Sequence, residues 1–363
     1  MDIESLKNIK KPRRKISQLL KRYGFFIMIL LCTIAASIKP NLGGTNGVIN
    51  SNTILWYIAI PLTYLEAGLI CTPKSLYSAI SHGYLLSFVI VFIYIVMPIL
   101  ARIGSCLLTY INVNIWLLKG MEVFFCMPPP LSVSLVLTRI ANADMPTSIV
   151  TTILSHIVGF FLSPFLLYIM LGASTPPLVG VNIGEMIYST IVPFTIGLAF
   201  QYVFLKMNCH NHLDAGWMSI GLLIITAYHW FCDAVTVDST SVEAIDILFC
   251  VFIACIGQLM TTGLCWIFCS RWLPRQILLA ALFTITHKSV GIGGWILRGA
   301  YHGSTHGVAV NLPLVILPVA QLIFGSLLAC WIAPSRRVYY YSTNNFIDHH
   351  SSIDEQSKLN NLN

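Results

Sequence analysis

Charged residues are scarce in this sequence. Of its 363 residues only 10% are Asp, Glu, Lys or Arg, whereas a soluble domain carries about 25%. Hydrophobic residues make up 56%, and the mean hydropathy is +0.77. A chain with so little polar surface cannot coat a water-exposed core, so lipid must surround most of it. The composition excludes an ordinary soluble protein, a disulfide-rich secreted domain and a nucleic-acid-binding protein.

Catalytic and metal-binding signatures are also missing. The sequence contains no HExxH motif, no GxSxG motif and no paired intramembrane aspartates, which are patterns typical of hydrolases. Its 11 cysteines show no CxxC pair and no zinc-ligand spacing, and most of them lie in apolar stretches, which favours small hydrophobic packing residues. We therefore predict that the protein is not an enzyme and holds no resident cofactor.

Long apolar windows account for most of the chain and predict ten membrane spans. The windows lie near 23–39, 53–71, 82–108, 115–139, 148–171, 184–205, 216–233, 244–269, 276–298 and 307–333. The connections between them are short and rich in turn-forming residues, which leaves no room for a separate soluble domain.

The distribution of basic residues predicts the orientation of these spans. Eight Lys and Arg residues fall between Lys7 and Arg22, ahead of the first span, and such clusters face the cytoplasm. With ten spans both termini are then cytoplasmic. We predict a basic arm (1–22), a first five-helix repeat (23–172), a linker (173–183), a second five-helix repeat (184–333) and a disordered tail (334–363). An odd number of spans in each half makes the two repeats inverted.

The fourth span of the first half is interrupted by prolines. Pro128, Pro129 and Pro130 follow one another at mid-membrane depth, and an α-helix cannot pass through three prolines, because each lacks an N–H and clashes with the preceding turn. Irregular backbone at this depth must be buried in protein or line a wet cavity. Ser132 and Ser134 follow directly, so we predict a functional break.

The part of this span before the prolines carries two opposite charges. Lys119 and Glu122 lie three residues apart, a spacing at which opposite charges pair within a helix. We therefore expect Lys119 to pair with Glu122.

The fourth span of the second half carries the counterpart. Thr286, His287, Lys288 and Ser289 are followed by three glycines within four residues, and an intramembrane Lys is costly enough to mark a site. Alternatively, the span begins later and Lys288 reaches the cytoplasmic interface by snorkelling. Broken helices at matching positions of two repeats point to a binding site at the midplane.

Two kinds of ligand fit such breaks. The N-termini of half-helices suit an anionic group, whereas exposed carbonyls and hydroxyls suit a hard cation such as sodium. Thr152 and His156 in the fifth span share one helical face and could join such a site; the alternative is that this stripe of small polar residues serves helix packing.

These motifs resemble the bile acid:sodium symporter superfamily, and within it the seventh-member branch. The resemblance covers nearly the whole membrane part and rests on Trp116-Leu117-Leu118-Lys119-Gly120, Cys126-Met127-Pro128-Pro129-Pro130, Ser163-Pro164, Phe231-Cys232-Asp233, Thr286-His287-Lys288-Ser289, and Gln321 with Gly325-Ser326.

The resemblance implies an all-α polytopic membrane protein with ten transmembrane helices in two inverted five-helix repeats, whose broken fourth helices cross. It places a vestigial sodium site at Ser132, Ser134, Thr152 and His156. The family's sodium-bridging glutamate falls at Phe283, with His287 and Lys288 in place of amide residues. We therefore expect Lys288 to substitute for the ion, because an ammonium repels a nearby cation at low dielectric.

The expected function follows from the same resemblance. One hypothesis is a secondary transporter of a small organic anion that is not sodium-coupled in the usual way, with a proton as an alternative coupling ion. The branch also implies a second hypothesis, negative regulation of calcium entry through a calcium channel or another ion-transport partner. An ordinary sodium-coupled bile acid or organic anion symporter is the remaining alternative. Beyond the lipid bilayer we expect no nucleic-acid partner, and the family places the protein in the plasma membrane or the Golgi.

Overall fold

The computed structural model describes residues 23–44, 47, 54–111, 113–171, 183–207, 216–235, 244–289 and 306–332. The predicted basic arm, nearly all of the predicted linker and the predicted C-terminal tail lie outside these residues, as do the three glycines after Ser289. Throughout the described ranges the regular secondary structure is helical.

The helices of the first half are α1 (Tyr23–Ile38), α2 (Leu55–Ile70), α3 (Pro73–Ser81), α4 (Gly83–Thr109), α5 (Ile115–Phe125), α6 (Leu131–Ile140) and α7 (Met145–Leu171). Those of the second half are α8 (Ile183–Lys206), α9 (Gly216–Val235), α10 (Ala244–Cys269), α11 (Arg275–Thr286) and α12 (Gly307–Ile332).

Five of the described helices are long and apolar enough to cross a membrane, namely α4, α7, Ile187–Lys206 of α8, Ile245–Cys269 of α10, and α12. The pair α2 and α3 passes the same test together but bends by 94° between them. Apolar side chains face outward along these helices, such as Phe161, Phe165 and Tyr168 on α7, where lipid would surround them. The protein is therefore an all-helical, multi-pass membrane protein.

The two predicted fourth spans are not continuous helices, which accounts for two of the ten predicted spans that do not pass this test; α1, with 16 residues, is too short, and α9 is also not among the helices that pass. The first fourth span is divided into α5 and α6, and the described part of the second ends its helix at Thr286. Each piece has 10–12 residues, and an unbroken crossing takes about 20.

The α2–α3 bend has a local cause. Thr72 caps the new helix, because its hydroxyl accepts from the Ser75 backbone N–H at 3.2 Å while the Ser75 hydroxyl accepts from Thr72 N at 3.0 Å. Pro73 occupies the first helical position, where its missing N–H costs nothing. The chain therefore starts a second helix here instead of extending α2.

Helices α2 and α8 pack closely as a pair. A Cβ atom on Gly68 would collide with the carbonyl oxygen of Phe194, and one on Gly197 would collide with the carbonyl oxygen of Leu65. Glycine is required at both positions because the two backbones touch. Among the described helices, α8 packs chiefly on α2.

The largest buried cluster contains side chains from α1, α4, α5, α6, α7, α9, α10, α11 and α12, among them Phe92, Phe124, Phe283 and Leu317. A second, separate apolar cluster lies between α2, α6 and α7. The two broken spans run through the larger cluster, so their non-helical segments lie inside the protein.

Candidate functional site

The first break lies between α5 and α6. Helix α5 ends at Phe125, and Pro130 adopts an extended conformation (φ −81°, ψ 125°) before α6 begins at Leu131. The hydroxyl of Ser163 on α7 donates to the carbonyl oxygen of Cys126 at 2.9 Å. A side chain thus satisfies a carbonyl for which the proline run leaves no helical donor.

The second break follows α11. His287 is extended (φ −101°, ψ 144°), and the side-chain amide of Gln321 on α12 replaces the helical bonds that are lost. Its Oε1 accepts from the backbone N–H of Lys288 at 3.0 Å, and its Nε2 donates to the carbonyl oxygen of Thr286 at 3.1 Å. One amide therefore binds both sides of the break, as a neighbouring peptide group would.

The two breaks are in direct contact. The backbone N–H of Ser289 donates to the carbonyl oxygen of Pro128 at 2.8 Å. The structure thereby brings the proline run of the first half to the Thr-His-Lys-Ser segment of the second half. Pro128–Pro130 and Thr286–Lys288 are buried, and Ser289 is partly exposed.

Lys288 lies at this contact between the two breaks, which is called the crossing below, and only 1% of it is exposed. Its side chain therefore does not reach an interface, which rules out the snorkelling alternative. Its Nζ lies 3.4 Å from the carbonyl oxygen of Ile93 on α4. Within the part of the chain that the structure describes, no carboxylate pairs with Lys288.

The carbonyl of Ile93 is available because of a proline that the sequence analysis did not use. Residues Phe92–Val96 form a wide π-helical turn, in which the N–H of Met97 donates to the carbonyl oxygen of Phe92. The next residue, Pro98, has no N–H to offer Ile93. Such turns often mark functional sites. The sequence feature that could have predicted this turn is Pro98, a proline within a long apolar run.

His287 is held between α11 and α12. Its Nδ1 lies 3.1 Å from the carbonyl oxygen of Phe283, and its Nε2 lies 3.2 Å from that of Gln321. A Cβ atom on Gly325 would collide with the imidazole, so the glycine makes room for the ring. His287 is 2% exposed, and its two ring nitrogens hold the segment that carries Lys288 between α11 and α12.

Three buried threonine hydroxyls meet next to the second break. The Oγ1 atoms of Thr151 and Thr152 on α7 each lie 3.4 Å from Oγ1 of Thr284 on α11. Each hydroxyl also donates to a carbonyl one turn earlier in its own helix, at 2.7, 2.7 and 3.1 Å respectively. Thr284 was not among the predicted site residues, although it lies only two residues before Thr286 in the same buried part of α11.

The four residues of the predicted sodium site lie in different surroundings. Thr152 belongs to the threonine group, whereas Nδ1 of His156 lies 2.6 Å from the hydroxyl of Tyr64 on α2. Ser134 is fully buried, and its hydroxyl has no hydrogen-bond partner among the described residues, while Ser132 is partly exposed. In the described ranges no group of three or more His, Cys, Asp or Glu could hold a metal ion.

Two buried carboxylates have partners that the sequence analysis did not foresee. A pairing of Glu122 with Lys119 was expected within α5; instead Nη1 of Arg102 contacts both carboxylate oxygens of Glu122, at 3.1 and 3.0 Å. The Nζ of Lys119 lies over the Trp116 ring, 4.5 Å from its centroid. Glu66 pairs with Arg139 at 3.4 Å. The expected Lys119–Glu122 pair was wrong because Arg102 reaches across from α4.

Comparison with known proteins places this architecture in a family. The family model described as the SBF-like CPA transporter family matches residues 23–333, which include every helix of the structure. The chain belongs to the SBF-like CPA transporter family. The resemblance to bile acid:sodium symporters found from the motifs is thereby confirmed, and membership implies a bilayer-embedded protein that handles a small solute.

Several proteins similar to this chain are named sodium/bile acid cotransporter 7. The protein of that name from Xenopus tropicalis is 26% identical over 313 residues, covering 85% of this chain and 91% of the relative. The one from Mus musculus is 27% identical over 308 residues, covering 84% and 90% respectively. Solute carrier RCH1 of Saccharomyces cerevisiae is 21% identical over 277 residues, covering 71% of this chain and 64% of the relative.

Proposed function

We propose that this protein is a secondary transporter that binds a small organic anion where the two broken helices meet, and that Lys288 provides the positive charge of this site. The observation that carries the proposal is the burial of Lys288 at the crossing, with a carbonyl at 3.4 Å as its side-chain partner. A buried ammonium without a counter-charge is unfavourable. An anionic solute supplies that charge.

The start of α6 supports an anion at the same place. Helix α6 begins immediately after Pro130 and has no side-chain cap. The first N–H groups of an uncapped helix attract negative charge through the helix dipole. Pro128 belongs to the break that precedes this helix start, and it is bonded to the residue after Lys288, so both features act on one ligand.

The residues around the crossing favour transport without the usual sodium coupling. The threonine group offers hydroxyl oxygens to a hard cation, but Phe283, the position at which the family's bridging glutamate is expected, is an apolar side chain with 0% exposure. A nearby ammonium also opposes a bound cation. We infer that Lys288 takes the place of the ion, or that Lys288 or His287 carries a coupling proton. The alternative is sodium coupling, as the relatives' name states for them.

We infer that the transporter has ten spans in two inverted repeats, with both termini in the cytoplasm. The broken pair α5–α6 and the break after α11 support this arrangement, since they occupy the fourth predicted span of each half. An inverted repeat brings two such breaks together at the midplane. The concentration of Lys and Arg residues ahead of the first span supports a cytoplasmic location of both termini.

The test of the transport proposal is anion uptake by the purified protein in liposomes. The probes are a panel of radiolabelled anions from acetate to taurocholate, in sodium and in choline medium. We expect at least one anion to enter in both media, and uptake to fall at least about tenfold in Lys288→Ala but less in Lys288→Arg. Uptake confined to sodium medium, or an unaffected Lys288→Ala protein, would contradict the proposal.

A second candidate function is the restraint of calcium entry, acting through a channel or another ion-transport partner. The apolar side chain of Phe283, at the position where the resemblance places the family's sodium-bridging glutamate, argues against ordinary sodium symport, and the same resemblance implies the restraint of calcium entry. The test is calcium-45 uptake in cells that lack the protein, compared with cells restored with wild type or with Lys288→Ala. Raised uptake rescued only by wild type would support this function, and equal uptake in all lines would overturn it.

A further inference from the structure

Glu66, Arg139 and Ser219 join three helices through one buried polar contact. The Glu66 side chain on α2 is 0% exposed, and both Nη atoms of Arg139 at the end of α6 lie 3.4 Å from its Oε1. Nη1 of Arg139 also donates to the hydroxyl of Ser219 on α9 at 2.8 Å. The contact therefore links α6, the C-terminal segment of the first broken span, to α2 and α9.

The geometry of this ion pair differs from that of a permanent structural pair. Charge-assisted N–H···O bonds are usually about 2.7–2.9 Å long, and a buried pair stabilises a fold only when its remaining lone pairs are satisfied. Here both distances are 3.4 Å, and Oε2 of Glu66 has no hydrogen-bond partner among the described residues. A contact with this geometry is suited to forming and breaking.

The second apolar cluster lies at the same junction. It consists of side chains from α2, α6 and α7, namely Tyr64, Ala67, Cys71, Leu131, Leu135, Met145 and Ile149. It is separate from the large cluster that surrounds the breaks. Leu131 is the first residue of α6, directly after Pro130, and Cys71 lies at the end of α2. The cluster thus extends from the binding site toward the end of the molecule where Arg139 lies.

The helix on one side of this junction is tied to a neighbour. Because Gly68 and Gly197 bring the backbones of α2 and α8 into contact, these two helices must shift together. Glu66 and Tyr64 lie on α2 and contact Arg139 of α6 and His156 of α7, respectively. A shift of the α2–α8 pair away from α6 and α7 would break both polar contacts and open the apolar cluster to water.

We propose that Glu66, Arg139 and Ser219, together with this apolar cluster, form the gate that closes the route between the crossing of the breaks and the Arg139 end of the protein. The gate rests on the proposed function, because it controls access to the anion site. Opening separates Glu66 from Arg139, and water that enters the route then hydrates both charges.

Cys71 is a natural reporter of this gate. It is 0% exposed and belongs to the apolar cluster. The experiment treats the purified full-length protein in detergent with N-ethylmaleimide and follows modification of Cys71 by peptide mass spectrometry. We expect Glu66→Gln and Arg139→Gln each to accelerate modification by about tenfold, and Ser219→Ala to accelerate it less. The double variant should be no faster than the faster single variant, because both remove one contact.

Two controls separate a gate from general loosening. Glu122→Gln breaks the other buried ion pair, to Arg102, and should leave the rate at Cys71 unchanged. Cys269 on α10 is also 0% exposed, and it should stay protected in every variant. Unchanged modification of Cys71 in both single variants, or equal acceleration at Cys269, would overturn the gate. The labelling uses no transported solute, so its outcome is distinguishable from a failure of the proposed transport function.

Discussion

The backbone N–H of Ser289 donates to the carbonyl oxygen of Pro128 at 2.8 Å. This bond joins two segments from opposite halves of the chain, each of which has left its helix. Pro128 lies in a run of prolines, and Ser289 follows an extended segment whose backbone is held by Gln321. Each break therefore supplies a backbone group that the other lacks, and Lys288 is positioned beside them.

Gln321→Leu should destabilise the protein. It leaves the N–H of Lys288 and the carbonyl of Thr286 buried without the amide partner, at a cost of about 1–3 kcal/mol for each group. Thermal unfolding in detergent measures the change. The matched control is Gln258→Leu on α10, because both amide atoms of Gln258 are buried without a partner among the described residues. Its substitution should be neutral or stabilising, and equal losses in the two variants would contradict the role of Gln321.

Ser163→Ala should weaken the first break. The substitution removes the hydroxyl that donates to the carbonyl oxygen of Cys126, and the expected loss of stability is about 1 kcal/mol or somewhat more. Ser134→Ala is the control, because the Ser134 hydroxyl is buried with no partner in the described residues. Denaturation curves of the two variants should therefore differ. If Ser134→Ala proved the more harmful change, the assignment of the Cys126 carbonyl to Ser163 would be wrong.

Gly68→Ala should separate α2 from α8. The added methyl group would collide with the carbonyl oxygen of Phe194, and overpacking of this kind costs about 1–3 kcal/mol. Gly263→Ala on α10 is matched in chemistry, but nothing lies within 4 Å of the new atom, so helix propensity should make it neutral or slightly stabilising. Folded yield and thermal stability check both variants. Tolerance of Gly68→Ala would argue against close contact of the two backbones.

Lys288→Met should have opposite effects on stability and on transport. Replacing the buried ammonium, which is 1% exposed, with an apolar side chain of similar length should leave stability unchanged or raise it by about 1–4 kcal/mol. Anion uptake should be lost in the same protein. Lys119→Met, which removes the partly exposed cation over Trp116, is the control and should retain uptake. A strongly destabilised Lys288→Met protein would show that the ammonium serves the fold and not a ligand.

The breaks could be predicted from sequence because their causes are local. Three adjacent prolines cannot continue a helix in any environment, and the structure ends α5 at Phe125 and restarts a helix at Leu131. A Lys next to a His in an apolar segment also predicted a buried charge, and Lys288 is buried. These conclusions need only the chemistry of neighbouring residues.

The partners of the polar groups could not be predicted in the same way. The sequence offers each polar group several carboxylates, hydroxyls or cations as possible partners. Closeness along the chain did not identify the actual partner. Glu122 pairs with Arg102 of the preceding helix and not with Lys119 one turn away. His156, expected beside Thr152, contacts Tyr64 of α2, while Thr284 of α11 joins Thr152 instead.

The sequence by itself determined that lipid surrounds this protein and that two of its spans are broken, because hydropathy and proline geometry act within one segment. The tertiary structure alone decided which groups meet at the breaks. The bond between Pro128 and Ser289, the amide of Gln321 at the second break and the pairing of Glu66 with Arg139 all depend on how distant helices pack. Close packing selects one partner for each buried polar group from many that the chain offers.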